Sequence, residues 1–233
     1  MIQKYIKDYH LRRVYSKNGR QPFYKLASKY LPHDKGSIVI DVGCGIAEFA
    51  EEFDLAKMYD NLFLLEGNKV TVDYLKNKFK NVLEYKIPDK LPFENNTVAF
   101  IHLSHIVEHL EQQELYDFLQ EVDRVLMNGG VLVVSTPLMW NGFYDDLSHI
   151  KPYNDPVFIN YLVAKSEDRS RKVISHSYKV LDLVYRYRSL PVKGGWSSKY
   201  LLVDILMQIL KRVVSVLGFR YQIKNGYTLV LKK

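Results

Sequence analysis

The chain of 233 residues suits one domain with an elaboration, and 47% hydrophobic with 25% charged residues is a globular composition. Its single cysteine, Cys44, excludes an internal disulfide and a multi-cysteine zinc site. No signal-like apolar run and no stretch of 18 uncharged apolar residues is visible, so a cytoplasmic protein, at most peripheral at a membrane, is expected.

The net charge of +7 hides a pattern. Lys and Arg number nine against two acids in residues 1–40, eight against nineteen in 41–150, and sixteen against five in 151–233. Basic flanks on an acidic body favour an anionic partner (a phosphorylated substrate, nucleic acid or an anionic membrane surface) or internal pairing of flanks to body.

In chain order, residues 1–35 read as an N-terminal helical segment. Ile38–Val42 is a β-branched run ending in a Gly-rich turn, hence a buried strand. Glu48–Met58 reads as a helix, Leu62–Glu66 as a strand, and Lys69–Phe79 as a helix with Val70, Tyr74, Leu75 and Phe79 on one side. Strands follow at Val82–Ile87 and Val98–Leu103. Gln112–Met127 is a helix that Asn128-Gly129-Gly130 would stop, and Val131–Ser135 is the fifth strand. This alternation implies right-handed βαβ units on a parallel sheet. Phe219–Lys224, Asn225-Gly226 and Tyr227–Lys232 read as a closing hairpin with a type I′ turn. Residues 138–200 are too many for one crossover and read as an inserted cap suited to substrate selection.

The chemistry lies in Ile38-Val-Ile-Asp-Val-Gly-Cys-Gly-Ile-Ala-Glu-Phe49. Gly43 and Gly45 let the backbone turn tightly and approach a ligand, which in open α/β sheets sits beyond the carboxyl ends of the strands. A dinucleotide fingerprint would need a third small residue where Glu48 stands, and a carboxylate beside a pyrophosphate is unfavourable. S-adenosylmethionine (SAM) carries no phosphate and escapes that conflict. Glu66, at the next strand's end, can accept hydrogen bonds from both ribose hydroxyls.

With Lys90-Leu-Pro-Phe-Glu-Asn-Asn-Thr-Val98 and Leu103-Ser-His-Ile-Val-Glu-His-Leu110, in this order and spacing, the chain resembles the class I SAM-dependent methyltransferases of the type 11 group. The likeness covers residues 38–136. It implies an α/β, Rossmann-like fold with a mostly parallel seven-stranded sheet and an antiparallel C-terminal hairpin. The expected division of one domain is 1–35, a SAM-binding core at 36–137, the cap at 138–200, and the last helix and hairpin at 201–233. The implied cofactor contacts are Asp41, Gly43, Cys44, Gly45, Glu66, Gly67, Ile87, Pro88 and Ser104. Two departures stand out: Ala47 replaces the usual third glycine, and Ile87, with Pro88, stands where the family carries an adenine-binding acid.

His105-Ile-Val-Glu108-His109 also spells the H-x-x-E-H pattern of a zinc-peptidase group. That chemistry needs a long helix, whereas here the motif directly follows a strand, so no essential metal is expected. Methyl transfer to a hydroxyl benefits from a base near neutral pH. His149, in Asp145-Asp-Leu-Ser-His-Ile-Lys-Pro-Tyr153, is the candidate, with Asp146 or Asp145 to orient it; this run resembles one in relatives encoded with glycan-synthesis genes. His105 is a secondary candidate that would line the donor pocket with Ser104.

The expected reaction is O-methylation of a sugar, glycan or other small anionic acceptor. A lipid-linked or quinone-type acceptor, or a SAM-binding or nucleic-acid-associated module without this activity, are the alternatives. Nucleic acid is disfavoured because no Asn/Asp-Pro-Pro-Tyr follows strand four, although the basic, aromatic segment 165–199 could grip an anionic polymer or phosphate. Leu201–Leu217 is amphipathic, with Asp204, Gln208, Lys211, Arg212 and Ser215 on one face. It reads as a core helix packed on the sheet or, alternatively, as a membrane-surface helix.

Overall fold

A computed structural model describes residues 13–15, 20–164, 171–191 and 197–233. The elements are β1 (Arg13–Tyr15), α1 (Gln21–Ser28), β2 (Ile38–Val42), α2 (Glu48–Glu52), α3 (Leu55–Met58), β3 (Asn61–Glu66), α4 (Lys69–Lys76), β4 (Val82–Glu84) and β5 (Val98–Ser104). They continue with α5 (Gln112–Val125), β6 (Leu126–Pro137), α6 (Asp155–Leu162), β7 (Lys179–Pro191), α7 (Leu201–Val216) and β8 (Arg220–Lys232). One sheet runs in the order β1-β7-β8-β6-β5-β2-β3-β4. Every strand is parallel to the rest except β8, which lies antiparallel between β7 and β6. The α/β, Rossmann-like, mostly parallel architecture is the expected one. The sheet has eight strands where seven were expected, because β1 adds an edge beside β7 within the segment read as helical.

Two apolar layers clamp the sheet. Ile40, Val42, Ile101 and Leu103 pack on one side with Phe118, Val122 and Phe158 from α5 and α6. Val39, Leu64, Phe100 and Val133 pack on the other with Phe49, Leu55, Val72 and Leu75. This period-two division of each strand makes the register costly to slip.

Several local expectations are corrected. The Glu48–Met58 helix is two short helices, because Asp54 takes the left-handed region (φ 50°) between them. Asn68 caps α4 by accepting from Val70 N at 3.0 Å. The buried face of α4 is Val72 and Leu75, while Val70 and Tyr74 are exposed. The third strand stops at Glu84. α5 runs directly into β6 at Leu126, so Asn128-Gly129-Gly130 lies at the irregular start of the strand, where Gly129 N donates to Lys233 O at 2.8 Å.

The C-terminal hairpin is absent: Asn225 and Gly226 sit within the continuous strand β8. Asn225 is buried and its Oδ1 accepts from Arg186 Nε at 3.0 Å. A Cβ on Gly226 would stand 2.9 Å from Arg186 Nη2 and 3.1 Å from Thr136 O, so this glycine serves close approach rather than a turn. The expected cap is also interrupted, because Lys179–Pro191 is a strand of the sheet, and its larger part, 138–178, precedes that strand. Of that segment 165–170, and beyond it Trp196, lie outside the described residues.

Candidate active site

The carboxyl ends of β2, β3 and β5 gather the glycine loop, Glu66 and Ser104. Gly43 (φ 62°) and Gly45 (φ 55°) both use the left-handed region, as does Ala47 (φ 66°), where glycine is the common choice. Gly43 N donates to Leu65 O at 2.7 Å, which ties the loop to β3. A Cβ on Gly43 would overlap the Ile106 side chain, whereas one on Gly45 would meet nothing within 4 Å among the described residues. Among the described residues, the second turn of the loop is therefore left uncrowded. Glu66 spans the gap: Oε2 accepts from Gly45 N and Oε1 from Asn68 N, both at 2.9 Å. Each carboxylate oxygen keeps a further lone pair for a ligand hydroxyl. Ser104 is buried and its Oγ has no hydrogen-bond partner among the described residues. Gly67 lies beside Tyr85, whose carbonyl oxygen would be 3.3 Å from a Cβ.

Asp41 is placed differently from the expectation. It is buried, and Oδ1 meets Nδ1 of the buried His102 at 2.8 Å. His102 in turn packs on Phe49, with ring centroids 4.1 Å apart. Asp41 therefore supports the loop from beneath. Cys44 sits above it, and burial, reinforced by Asp41 and Glu66, pushes its thiol well above the ordinary range. Glu48 is tied to α1, since Tyr24 OH donates to Oε2 at 3.2 Å.

Ile87 is half-buried, Pro88 exposed, and the bond between them is cis. The adjoining Leu91-Pro92-Phe93 segment is held by α5. Arg124 Nη2 donates to Leu91 O at 2.9 Å and Nη1 to Phe93 O at 2.8 Å, while Glu121 Oε2 accepts from Leu91 N.

The histidines form a second group. His105 has a left-handed backbone (φ 59°) and its Nδ1 lies 3.0 Å from Glu108 Oε1. Burial holds His105 below its ordinary pKa, against the upward pull of Glu108. Burial alone would push Glu108 up, but contacts from His105, its backbone and Thr136 outweigh it and keep the carboxylate low. The imidazole is therefore neutral and the carboxylate ionised. Thr136 Oγ1 donates to Glu108 Oε2 at 3.0 Å.

His149 Nδ1 donates to Phe143 O at 2.6 Å, and His109 Nδ1 to Ser148 O at 2.9 Å. Each carbonyl fixes the tautomer, so Nε2 of a neutral ring carries the free lone pair. The rings stand 5.1 Å apart, and Glu108, His109 and His149 bring one ligand atom each within 4.8 Å of one another. Asp146 does not orient His149 as expected. Its Oδ1 accepts from Ser148 N at 2.9 Å and from Ser148 Oγ at 2.5 Å, which shapes the loop that carries the histidine. The orienting group is the Phe143 carbonyl.

Arginines that the sequence reading did not single out complete the site. Arg186 lies half-buried on β7, donates to Asn225 through Nε and Nη2, and stacks 5.5 Å from the Phe23 ring. Burial lowers its pKa; Glu108 opposes that effect, while Arg20 and Arg188 add to it. Arg188 covers the Trp140 ring at 5.0 Å. A period-two strand with Arg at alternate positions is the signal in the sequence, but only the pairing with β8 reveals which end of the sheet it serves. A separate cleft of about 550 Å³ lies between α5 and α6, lined by Tyr116, Tyr161, Lys151 and Arg171 among others. It contains none of the residues expected to hold the donor.

Comparison with known proteins places this geometry. Residues 40–134 match the family described as a methyltransferase domain. Among solved structures, a SAM-dependent methyltransferase from Archaeoglobus fulgidus is similar over 93% of this chain and 96% of its own, with TM-score 0.60 and 18% identity. A SAM-dependent methyltransferase from Leishmania major aligns over 91% and 70%, with TM-score 0.56 and 14% identity. A type 11 methyltransferase of Sulfolobus solfataricus, described as putative, aligns over 94% of both chains, with TM-score 0.51 and 16% identity. No curated protein sequence matches. Residues 40–134 thus match a methyltransferase domain, and the α/β architecture around them is one that solved SAM-dependent methyltransferases share. The described residues suit that donor, with an open glycine turn, a strand-end carboxylate and a buried hydroxyl without a partner.

Proposed function

We propose that the enzyme transfers the SAM methyl group to a hydroxyl of a small anionic acceptor of the sugar or glycan kind, with His149 as general base. SAM supplies the electrophilic methyl. Gly43, Cys44 and Gly45 cradle the donor, Glu66 accepts its ribose hydroxyls, Gly67, Ile87 and Pro88 border its adenine, and Ser104 donates to it. Asp41 and His105 act by positioning, Asp41 beneath the loop and His105 through Glu108. The acceptor oxygen forms the new bond to the methyl carbon as the carbon–sulfur bond breaks, and the hydroxyl proton passes to His149 Nε2. Alignment accounts for most of the acceleration, and a base typically adds about 10²–10⁴-fold.

The observation that carries the base is the 2.6 Å bond from His149 Nδ1 to Phe143 O, which leaves Nε2 as acceptor. Arg20, Arg186 and Arg188 support an anionic acceptor, and a lipid-linked form of it fits the same charge. The reading needs no metal, because Glu108 is already engaged by His105 and Thr136. The test is methyl transfer from labelled SAM to a panel of phosphorylated and uronic sugars. His149→Ala should lose about 10²–10⁴-fold in kcat with donor affinity kept, and chelation should leave turnover unchanged. Unchanged turnover in His149→Ala would remove the base from the reading.

A further inference from the structure

The helix α7 is turned the wrong way for a core element. Its inward positions are Asp204, Met207, Lys211 and Val214, of which Lys211 alone is buried. Asp204 accepts from Ser198 N at 2.9 Å, and Lys211 donates to Gln208. Leu202, Leu206, Ile209, Val213, Val216 and Leu217 stand 49–80% exposed on the opposite side. At 100° per residue they fall within one apolar stripe. The expectation of a core helix on the sheet is thus overturned: Asp204, Met207, Lys211 and Val214 turn toward the protein, while the aliphatic stripe, with Gln208, Arg212 and Ser215 beside it, is exposed. Contiguous apolar surface of this kind marks an interaction site.

Its location follows from the strand register. β6 ends at Pro137, opposite Gly226. The β7–β8 ladder continues for five more pairs, from Tyr187↔Lys224 to Pro191↔Arg220. At about 3.3 Å per residue this two-stranded ribbon reaches roughly 17 Å past the carboxyl end of β6. That end of the sheet also carries the Gly43–Gly45 loop and Ser104. The ribbon leads into α7 through the Phe219 turn, where Gly218 (φ 75°) closes the helix.

We propose that α7 is a membrane-docking arm that lies in the surface of an anionic bilayer and holds the mouth of the active site against it. The charge around the stripe carries the choice of occupant. Lys199 and Arg220 at its two ends and Arg212 within it are exposed, while the only acid in 197–224, Asp204, faces inward. Exposed Tyr200 and Phe219 stand at the two ends of the helix, where amphipathic rings suit the headgroup level. A second copy of the chain would bring the same cations together across the axis, whereas anionic headgroups neutralise them. The helix spans 16 residues, and among the described residues no helix is long and apolar enough to cross a membrane. It therefore lies in the interface rather than across it. Docking in this sense does not depend on the acceptor proposed above. It adds that a lipid-linked acceptor would reach the site from the bilayer.

Flotation of the full chain with phosphatidylglycerol–phosphatidylcholine vesicles, against pure phosphatidylcholine vesicles, tests it. The wild type should float with the anionic vesicles, and less so as salt is raised. Leu206→Glu/Val213→Glu should lose partitioning by more than about a hundredfold, and Arg212→Gln by about fivefold. Thermal melting and SAM titration should match the wild type in both, because these side chains face outward. A wild type that stays unbound with anionic vesicles, or a double glutamate variant that floats as well as the wild type, overturns the proposal. So does a dimer in sedimentation that the glutamates dissociate while vesicles remain unbound, since that would make the stripe a contact between copies. Flotation without any O-methylation would retain the arm and reject the acceptor reading.

Discussion

Gly43→Ala separates two demands that the glycine loop places on one position. The native φ of 62° costs an L-residue about 1–2 kcal/mol. The new Cβ would also overlap Ile106 Cδ1 and come within 2.7 Å of Cγ1, and overpacking of this kind costs about 1–3 kcal/mol. Together they predict a loss of about 3 kcal/mol, which for a chain of this length lowers Tm by roughly 6–12 °C. The second substitution, Ile106→Ala, removes the overlapping atoms and leaves the dihedral cost. In the double variant the packing part should return, giving a coupling of about 1–3 kcal/mol, while the φ penalty persists. Urea melts of the four proteins measure the cycle, and calorimetry with SAM measures whether the loop still closes on the donor. Additivity within about 0.5 kcal/mol would show that the two side chains do not meet and refute the reasoning.

Other outcomes follow from the same geometry. His105 and Glu108 both titrate below their ordinary values in the folded chain, so the unfolded chain binds more protons and stability rises with pH. Stability should therefore fall as pH drops below about 6.5 through the His105 contribution, and further below about 4.3 through Glu108. Melts across pH should lose the upper step in His105→Ala and the lower one in Glu108→Gln; identical profiles would contradict the assignment. Cys44 is the only thiol. Its raised pKa predicts alkylation by iodoacetamide at pH 8 more than about tenfold slower than for a free thiol, with full reactivity once urea unfolds the chain.

The frame was legible where local pattern and global fold agree. Ile38–Val42 and Val98–Leu103 are buried on both faces of a parallel sheet, so their continuous apolar runs announce them. The capping and glycine signals were less reliable. Asn225-Gly226 has the composition of a type I′ turn, yet Arg186 needed a neighbour without Cβ, and a pairing partner distant in sequence decided the matter. Asn128-Gly129-Gly130 was likewise absorbed by the entry into β6. In the site, Glu66 and the loop glycines came together as their spacing suggested. The partners of Asp41 and Asp146 did not follow from spacing, because His102 is supplied by the neighbouring strand and Ser148 competes locally for Asp146. The amphipathic period of Leu201–Leu217 was visible, but period alone cannot say which face turns inward.

Arg186 is where the acceptor end can be tested without knowing the acceptor. Its guanidinium is half-buried, and two of its three nitrogens are engaged by Asn225. Arg20 and Arg188 raise the local positive potential, and Glu108 is the counter-charge that acts on it. A site with this surplus gains from an anionic ligand, since a charge-assisted hydrogen bond contributes about 1.5–3 kcal/mol. Arg186→Met should therefore raise KM for an anionic acceptor by about 10- to 100-fold with a smaller change in kcat. Arg186→Lys keeps the charge but loses the planar fork that meets Asn225, and should recover part of the KM at low salt and less at high salt. SAM affinity, assigned above to residues at the ends of β2, β3 and β5, should be unchanged in both. Equal KM in all three proteins would mean that Arg186 only braces β7 against β8, and the anionic nature of the acceptor would lose its main support.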